Sequence, residues 1–261
     1  CWPNVVDIAI VGEAWGEKEE ELGVPFVGSG GWLLDQLLSQ AGIARRDCFL
    51  TNVFNLRPKP SNDIKALCGS KAEALDGFPA LTKGKYKGKY IRREFAPELD
   101  RLYTELRHAN PNVIIALGGT AAWALLHATG IKAIRGSITT CASPVAGVLG
   151  RAVKVLPTYH PSAVARQWNL RPIVLSDLDK ARRESLTPDY TRPSRKIWLR
   201  PTLADLAAFE ELYINDAELI SADIETRQNQ ITCIGFAPDA HNCIVIPFFD
   251  ESGRSYWSFN D

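Results

Sequence analysis

Four side chains of different chemistry stand at or just beyond the ends of short apolar runs. Glu13 follows Val5–Val11, Phe26 lies within GEAWGEKEEELGVPFVGSGG at residues 12–31, Asn52 closes Cys48–Asn52, and His160 sits in TYHPS beyond Val153–Pro157. A carboxylate can position or activate water, and an aromatic ring can cover a planar group. An amide offers a donor beside an acceptor, and an imidazole can donate to a developing anion. Such a set is equipped for hydrolysis. Taken singly, each has a plainer reading: Glu13 as the cap of a turn, Phe26 as core, Asn52 as a turn former, His160 as a hydrogen-bonded core histidine. Gly28, Gly30 and Gly31 around Ser29 open a helix, and backbone N–H groups in that arrangement can hold a phosphate, although glycine-rich turns are common.

An open parallel sheet would bring these residues to one rim, because ligands gather at the carboxyl ends of its strands. The alternation of patterns predicts one. Val5–Val11, Cys48–Asn52, Asn112–Leu117 and Val153–Pro157 read as strands, with helices over Trp32–Ala41, Phe95–His108 and Thr120–Ala128 and Ser162 as the candidate cap of another. Strand, crossover helix and strand in succession imply a mainly parallel sheet covered on both faces. This domain is expected to span 1–186. Residues 187–201, with Pro188, Pro193 and Pro201 among charges, read as a linker. Residues 202–261 then offer a helix over Leu203–Leu212 and strands at Leu219–Ile224, Ile231–Phe236 and Cys243–Phe248, the start of a second α/β unit.

Composition narrows the class. Apolar residues make up 46% and charged residues 23% of the 261, which excludes wholesale disorder and fibrous repeats. The apolar runs are far shorter than the roughly 20 residues that span a bilayer, and no charged-then-apolar leader opens the chain. A soluble, cytoplasmic protein without membrane association is expected. The six cysteines include no C-x-x-C pair, so buried thiols are expected in place of a disulfide framework. Methionine is absent even at position 1, which predicts a piece of a longer chain. The formal charge is zero, but 1–200 carries +9 and 201–261 carries −9. That split suits a polyanion bound by the larger part, or reflects surfaces that differ by chance. A long connection, about 58–93, ends in TKGKYKGKYIRR, where Lys83, Lys85, Lys87 and Lys89 alternate with Tyr86 and Tyr90. Cations beside aromatics suit a single nucleic-acid strand; the alternative is a solvated loop.

The ordered set GEAWGEKEEELGVPFVG, TNV, IALGGTAA, Arg135–Gly136 and LPTYHPSAVAR resembles the uracil-DNA glycosylase superfamily, most closely its family-four branch of bacteria and archaea, over about residues 5–184. The resemblance implies a three-layer α/β fold with a short, mainly parallel central sheet. It implies hydrolysis of the N-glycosidic bond of deoxyuridine in DNA, the excision step of base excision repair. Glu13 then matches the acid that positions or activates water, and His160 the imidazole that bonds the uracil carbonyl as negative charge develops. Phe26 matches the ring that stacks on the flipped base, and Asn52 the amide that reads its edge and rejects cytosine. Trp15 stands in the substrate-binding turn where the family usually has proline. Gly28, Ser29, Gly30, Ser162 and Arg166 match positions that grip phosphates. Flipping the base costs a few kcal/mol, and an aromatic platform worth about 1–3 kcal/mol per base offsets that. The implied partner is DNA, single-stranded or uracil-containing, bound by a monomer.

The family-four branch also carries an iron–sulfur cluster on four cysteines. Here Leu56, in NLRP, replaces one of them, and Cys68 is a candidate for another. A cluster needs its full thiolate set, so no iron–sulfur cluster and no other cofactor is expected for this domain. Further on, LISADIETRQNQITCIGFA resembles the opening motif of DnaQ-like 3′–5′ exonucleases, as in family A DNA polymerases. Asp223 and Glu225, two apart on a strand, share a face. The resemblance implies a partial RNase H-like unit whose complete form would hold divalent metal, Mg or Mn, for two-metal phosphodiester hydrolysis. The remaining carboxylates are expected beyond Asp261, so these residues should not perform that reaction. The whole reads as part of a larger replication or repair polypeptide of a virus or mobile element. Two rival readings stay open: a catalytically inactive module that binds uracil or template DNA because Trp15 fills the pocket, and an architectural domain that orients the exonuclease.

Overall fold

The computed structural model describes residues 6–81, 87–191 and 194–257. Lys83 and Lys85 of the basic run lie outside them. The chain divides into two compact units, 1–190 and 191–261. In chain order the first contains β1 (Ile8–Ala14), α1 (Glu17–Leu22), α2 (Ser29–Gln40), β2 (Cys48–Phe54), β3 (Cys68–Gly69), β4 (Tyr90–Ile91) and α3 (Ala96–Ala109). It continues with β5 (Val113–Leu117), α4 (Gly119–Leu126), α5 (Ile131–Ile134), β6 (Thr139–Thr140), α6 (Ser143–Leu149), β7 (Lys154–Thr158), α7 (Pro161–Arg166) and α8 (Arg171–Glu184).

The sheet order is β2-β1-β5-β7-β6, parallel throughout except for the short edge strand β6. Successive side chains feed opposite faces. Ala9 and Val11 of β1, with Ile114 and Ala116 of β5, join a core covered by α3, α4 and α6 through Leu102, Leu106, Trp123 and Val145. Ile8 and Ile10, with Val113, Ile115 and Leu117, join a second core covered by α2, α7 and α8 through Leu34, Leu37, Leu38, Val164, Val174 and Leu178. Burial on both sides explains why these strands read as unbroken apolar runs without alternation. The result is the three-layer arrangement expected. No helix among the described residues is long and apolar enough to cross a membrane.

Three local expectations are corrected. Ser162 does not cap α7: His160 does, its Nδ1 accepting the Ser162 backbone N–H at 3.2 Å. The connection 58–93, read as a strand-binding segment with a solvated loop as the alternative, is anchored by Ile64, Leu67, Leu81 and Ile91, which are buried in the core. Phe78 lies 4.5 Å from the Trp123 ring and 4.1 Å from that of His127, and the Trp123 indole donates to Pro79 O at 2.9 Å. Lys87 and Lys89 are exposed on this segment. The third correction concerns the linker, which contains a strand. Helix α8 was not anticipated, because a buried Asp177 interrupts its apolar stripe. That carboxylate is paired with Arg135 at 2.8 Å and accepts from the Thr158 hydroxyl at 2.6 Å.

The second unit has β8 (Lys196–Leu199), α9 (Leu203–Phe209), β9 (Ser221–Arg227), β10 (Gln230–Ala237) and β11 (Asn242–Pro247), in a sheet ordered β8-β11-β10-β9. β10 is antiparallel to both neighbours and β8 parallel to β11. β8 is the strand inside 187–201. Its Trp198 ring packs 5.8 Å from Phe209 of α9, which draws these residues into the sheet.

Burial pushes the His127 imidazole below its ordinary value, against the opposing effect of a hydrogen bond that the ring donates to the Gly77 backbone. A histidine held neutral contributes stability above the unfolded value of about 6.5 and loses it as pH falls. Urea unfolding should therefore show a midpoint that drops from about pH 7 to about pH 5.5, and His127→Asn, suited to the left-handed backbone at φ 50, should flatten that slope. An unchanged slope would show that the group titrates normally.

Candidate active site

A cleft of about 950 Å³ opens at the carboxyl ends of β1, β2, β5 and β7. Glu13, Phe26, Asn52 and His160 all line it. Trp15 is part of the wall and leaves the cavity open. Residues 61–64 of the packed connection, the Gly118–Thr120 turn and residues 129–132 complete much of the rim.

The floor is set by one glycine. β1 and β2 are in register with Gly12 opposite Asn52. A Cβ on Gly12 would lie 2.2 Å from Asn52 Oδ1 and 2.6 Å from Phe26 Cζ, so only glycine lets ring and amide meet across it. Phe26 is buried, at φ 57, a conformation that costs a non-glycine residue about 1–3 kcal/mol and concentrates at functional sites. Three neighbours fix it. Arg45 Nη2 donates to the carbonyls of Pro25 at 3.2 Å and Phe26 at 3.1 Å, while its Nη1 pairs with Asp35. The carboxylate of Glu19 accepts from the backbone N–H groups of Gly16, Val27 and Gly28 at 3.1, 3.0 and 2.8 Å. Gly31 admits the Phe26 carbonyl, which a Cβ there would meet at 1.9 Å. Sequence reasoning passed over Glu19 as one more solvated acid of KEEEL. Its spacing to the glycine turn was the available signal.

On the opposite wall, Thr120 donates its hydroxyl to Glu13 Oε2. The LGGT sequence that supplies this threonine was noticed, but not its partner. His160 Nδ1 accepts from the Ser162 N–H and lies 2.8 Å from its hydroxyl. A nitrogen that accepts from a backbone N–H is unprotonated, and a neutral ring then carries its hydrogen on Nε2. The His160 and Phe26 rings stand 6.5 Å apart at 28°. Trp15 donates its backbone N–H to Leu56 O at 3.2 Å, and its buried indole nitrogen has no hydrogen-bond acceptor among the described residues.

Gly28, Ser29, Gly30, Ser162 and Arg166 also line the cleft, with Ser29 and Arg166 exposed at its edge. Lys87 and Lys89 do not belong to its lining. The cysteines do not fit an iron–sulfur cluster. Leu56 offers no ligating atom and packs against the apolar core, so the full thiolate set a cluster needs is lacking. Among the described residues, no three His, Cys, Asp or Glu side chains come together as metal ligands, in the first unit or around Asp223 and Glu225.

Residues 3–183 match the family described as the uracil DNA glycosylase superfamily. A type-4 uracil-DNA glycosylase of Thermotoga maritima is 33% identical over 183 residues, covering 67% of this chain and 76% of the relative. Relatives of the same name from Archaeoglobus fulgidus and Pyrobaculum aerophilum are 31% and 33% identical, covering 67% and 66% of this chain and 74% of each relative.

Gly12→Ala should lower unfolding free energy by about 1–3 kcal/mol through overpacking and displace the Phe26 ring from Asn52, seen in a crystal structure of the variant. An undisturbed ring would mean that the floor tolerates a methyl group.

Proposed function

Because the chain belongs to the uracil-DNA glycosylase superfamily, we propose that it is a uracil-DNA glycosylase that hydrolyses the N-glycosidic bond of deoxyuridine in DNA, in base excision repair. The observation that carries this is the convergence of Glu13, Phe26, Asn52 and His160 on one open cleft. A uracil turned out of the strand lies with its face on Phe26. Asn52 Oδ1 accepts from the uracil N3–H while its amide nitrogen donates to O4. Cytosine presents an amino donor to that nitrogen, and an unpaired buried polar group costs about 1–3 kcal/mol.

As the C1′–N1 bond breaks, its electron pair leaves with the base. His160 Nε2–H donates to O2, where negative charge accumulates. Glu13, oriented by the Thr120 hydroxyl, steadies the positive sugar and holds the water whose oxygen bonds to C1′. The proton of that water passes through the carboxylate to solvent, and an abasic site remains. Charge at both ends of the breaking bond is met by side chains, so this domain works without a cofactor. Gly28, Ser29, Gly30, Ser162 and Arg166 hold the flanking phosphates. Lys87 and Lys89 contact the strand further out.

The finer reading concerns the surrounding polypeptide. The second unit is the opening of a 3′–5′ exonuclease in a larger replication or repair protein, monomeric and cytoplasmic, of a virus or mobile element. What supports it is Asp223 and Glu225 two apart on exposed β9, where a complete unit would hold Mg or Mn.

Incubation with a uracil-containing oligonucleotide followed by alkali should cut the strand at uracil. Glu13→Gln and His160→Ala should each lower kcat by about 10²–10⁴-fold. An oligonucleotide left whole by the unaltered protein, yet bound tightly and only when it contains uracil, would select the inactive binding module. Binding indifferent to uracil would select the architectural one.

A further inference from the structure

β2 is the edge strand of its sheet, with β1 its only neighbour among the described residues, yet its last residues must hold Asn52 still. An edge presents a row of backbone groups that nothing in the sheet pairs. Here one side chain of α3 covers them. Arg101 Nη2 donates to Asn52 O at 2.9 Å and Val53 O at 3.1 Å. Its Nη1 donates to Thr51 Oγ1 at 3.3 Å and Glu105 Oε2 at 2.8 Å, and its Nε to Glu98 Oε2 at 3.1 Å. The two acids continue onto the strand. Glu98 Oε2 accepts the Asn55 N–H at 2.7 Å, and Glu105 Oε2 accepts the Thr51 hydroxyl at 2.7 Å.

A guanidinium has five N–H donors in a fixed fork. All five are engaged here, on two carbonyls and a hydroxyl of β2 and two carboxylates of α3, so none remains for a phosphate or a base. We infer that Arg101 is a positioning residue for uracil excision, acting through β2 to fix where the Asn52 amide stands. Glu98, Arg101 and Glu105, at i,i+3 and i,i+4 spacing, share one face of α3, and together they take the place of a missing neighbouring strand. Lysine cannot replace this arginine: three donors on one nitrogen cannot span two successive carbonyls and a hydroxyl.

This inference rests on the proposed base-reading role of Asn52. The test compares the full chain with Arg101→Lys and Arg101→Met on a single-stranded uracil oligonucleotide, with thermal unfolding followed alongside. Small misplacements at a reacting site cost on the order of 10²-fold, so kcat should fall by about 10–100-fold in both variants. KM for DNA should stay unchanged, because the phosphate contacts lie elsewhere, and ethylguanidinium should restore part of kcat to Arg101→Ala. If Arg101→Met fails to fold, Arg101→Lys decides. A folded Arg101→Lys with unaltered kcat, or one that raises KM alone, overturns the inference while leaving the glycosylase reading intact. An unaltered chain that removes no uracil overturns that reading itself.

Discussion

Everything at the site depends on two parallel strand ends lying side by side with no side chain between them. Gly12 of β1 stands opposite Asn52 of β2, and the space a methyl group would fill is taken by the Asn52 amide oxygen and the edge of the Phe26 ring. The sheet therefore ends in a floor where an aromatic ring and a side-chain amide meet. β1 itself carries Glu13, held by the Thr120 hydroxyl from beyond β5, and β7 brings the imidazole to the remaining side.

Holding such a floor requires order in segments that have little apolar surface of their own. The structure meets this with charged groups whose hydrogen bonds go to backbone atoms. Glu19 gathers three N–H groups of the glycine-rich turn, Arg45 takes two carbonyls at the strained Phe26, and buried Asp177 receives Arg135 and Thr158 behind β7. Paired in this way, these charges have their desolvation cost offset by charge-assisted hydrogen bonds that impose directional geometry. Oily packing is non-directional and would leave the same turns free to shift.

The strands, the helices between them and the four cleft residues were legible because each has a local signature. Unbroken apolar runs mark doubly covered strands, and chemistry-bearing residues fall where those runs stop. The glycine turn extended α2 three residues earlier than its apolar pattern, since Gly28 serves as the helix cap and Ser29–Gly31 as its first turn. What stayed hidden depended on partners distant in sequence. Asp177 looks like a flaw in an amphipathic helix until Arg135 faces it. Leu56, Leu67 and Ile91 look like loop residues until they meet the core. Lys196–Leu199 looks like connecting chain until β11 lies alongside. The acids of residues 17–21 resemble any solvated run, and nothing local distinguishes Glu19 from its neighbours.

The strand order carries a consequence for biosynthesis. β1 emerges first but lies between β2 and β5, and the fourth wall waits for β7 and the helix capped by His160, near residue 160. Partners such as Glu13 and Thr120 are 107 positions apart, so closing them requires most of the domain to be available. Topologies dominated by such distant pairings assemble slowly. A growing chain on the ribosome accordingly carries Glu13, Phe26 and Asn52 well before Thr120 and His160 emerge to close the cavity.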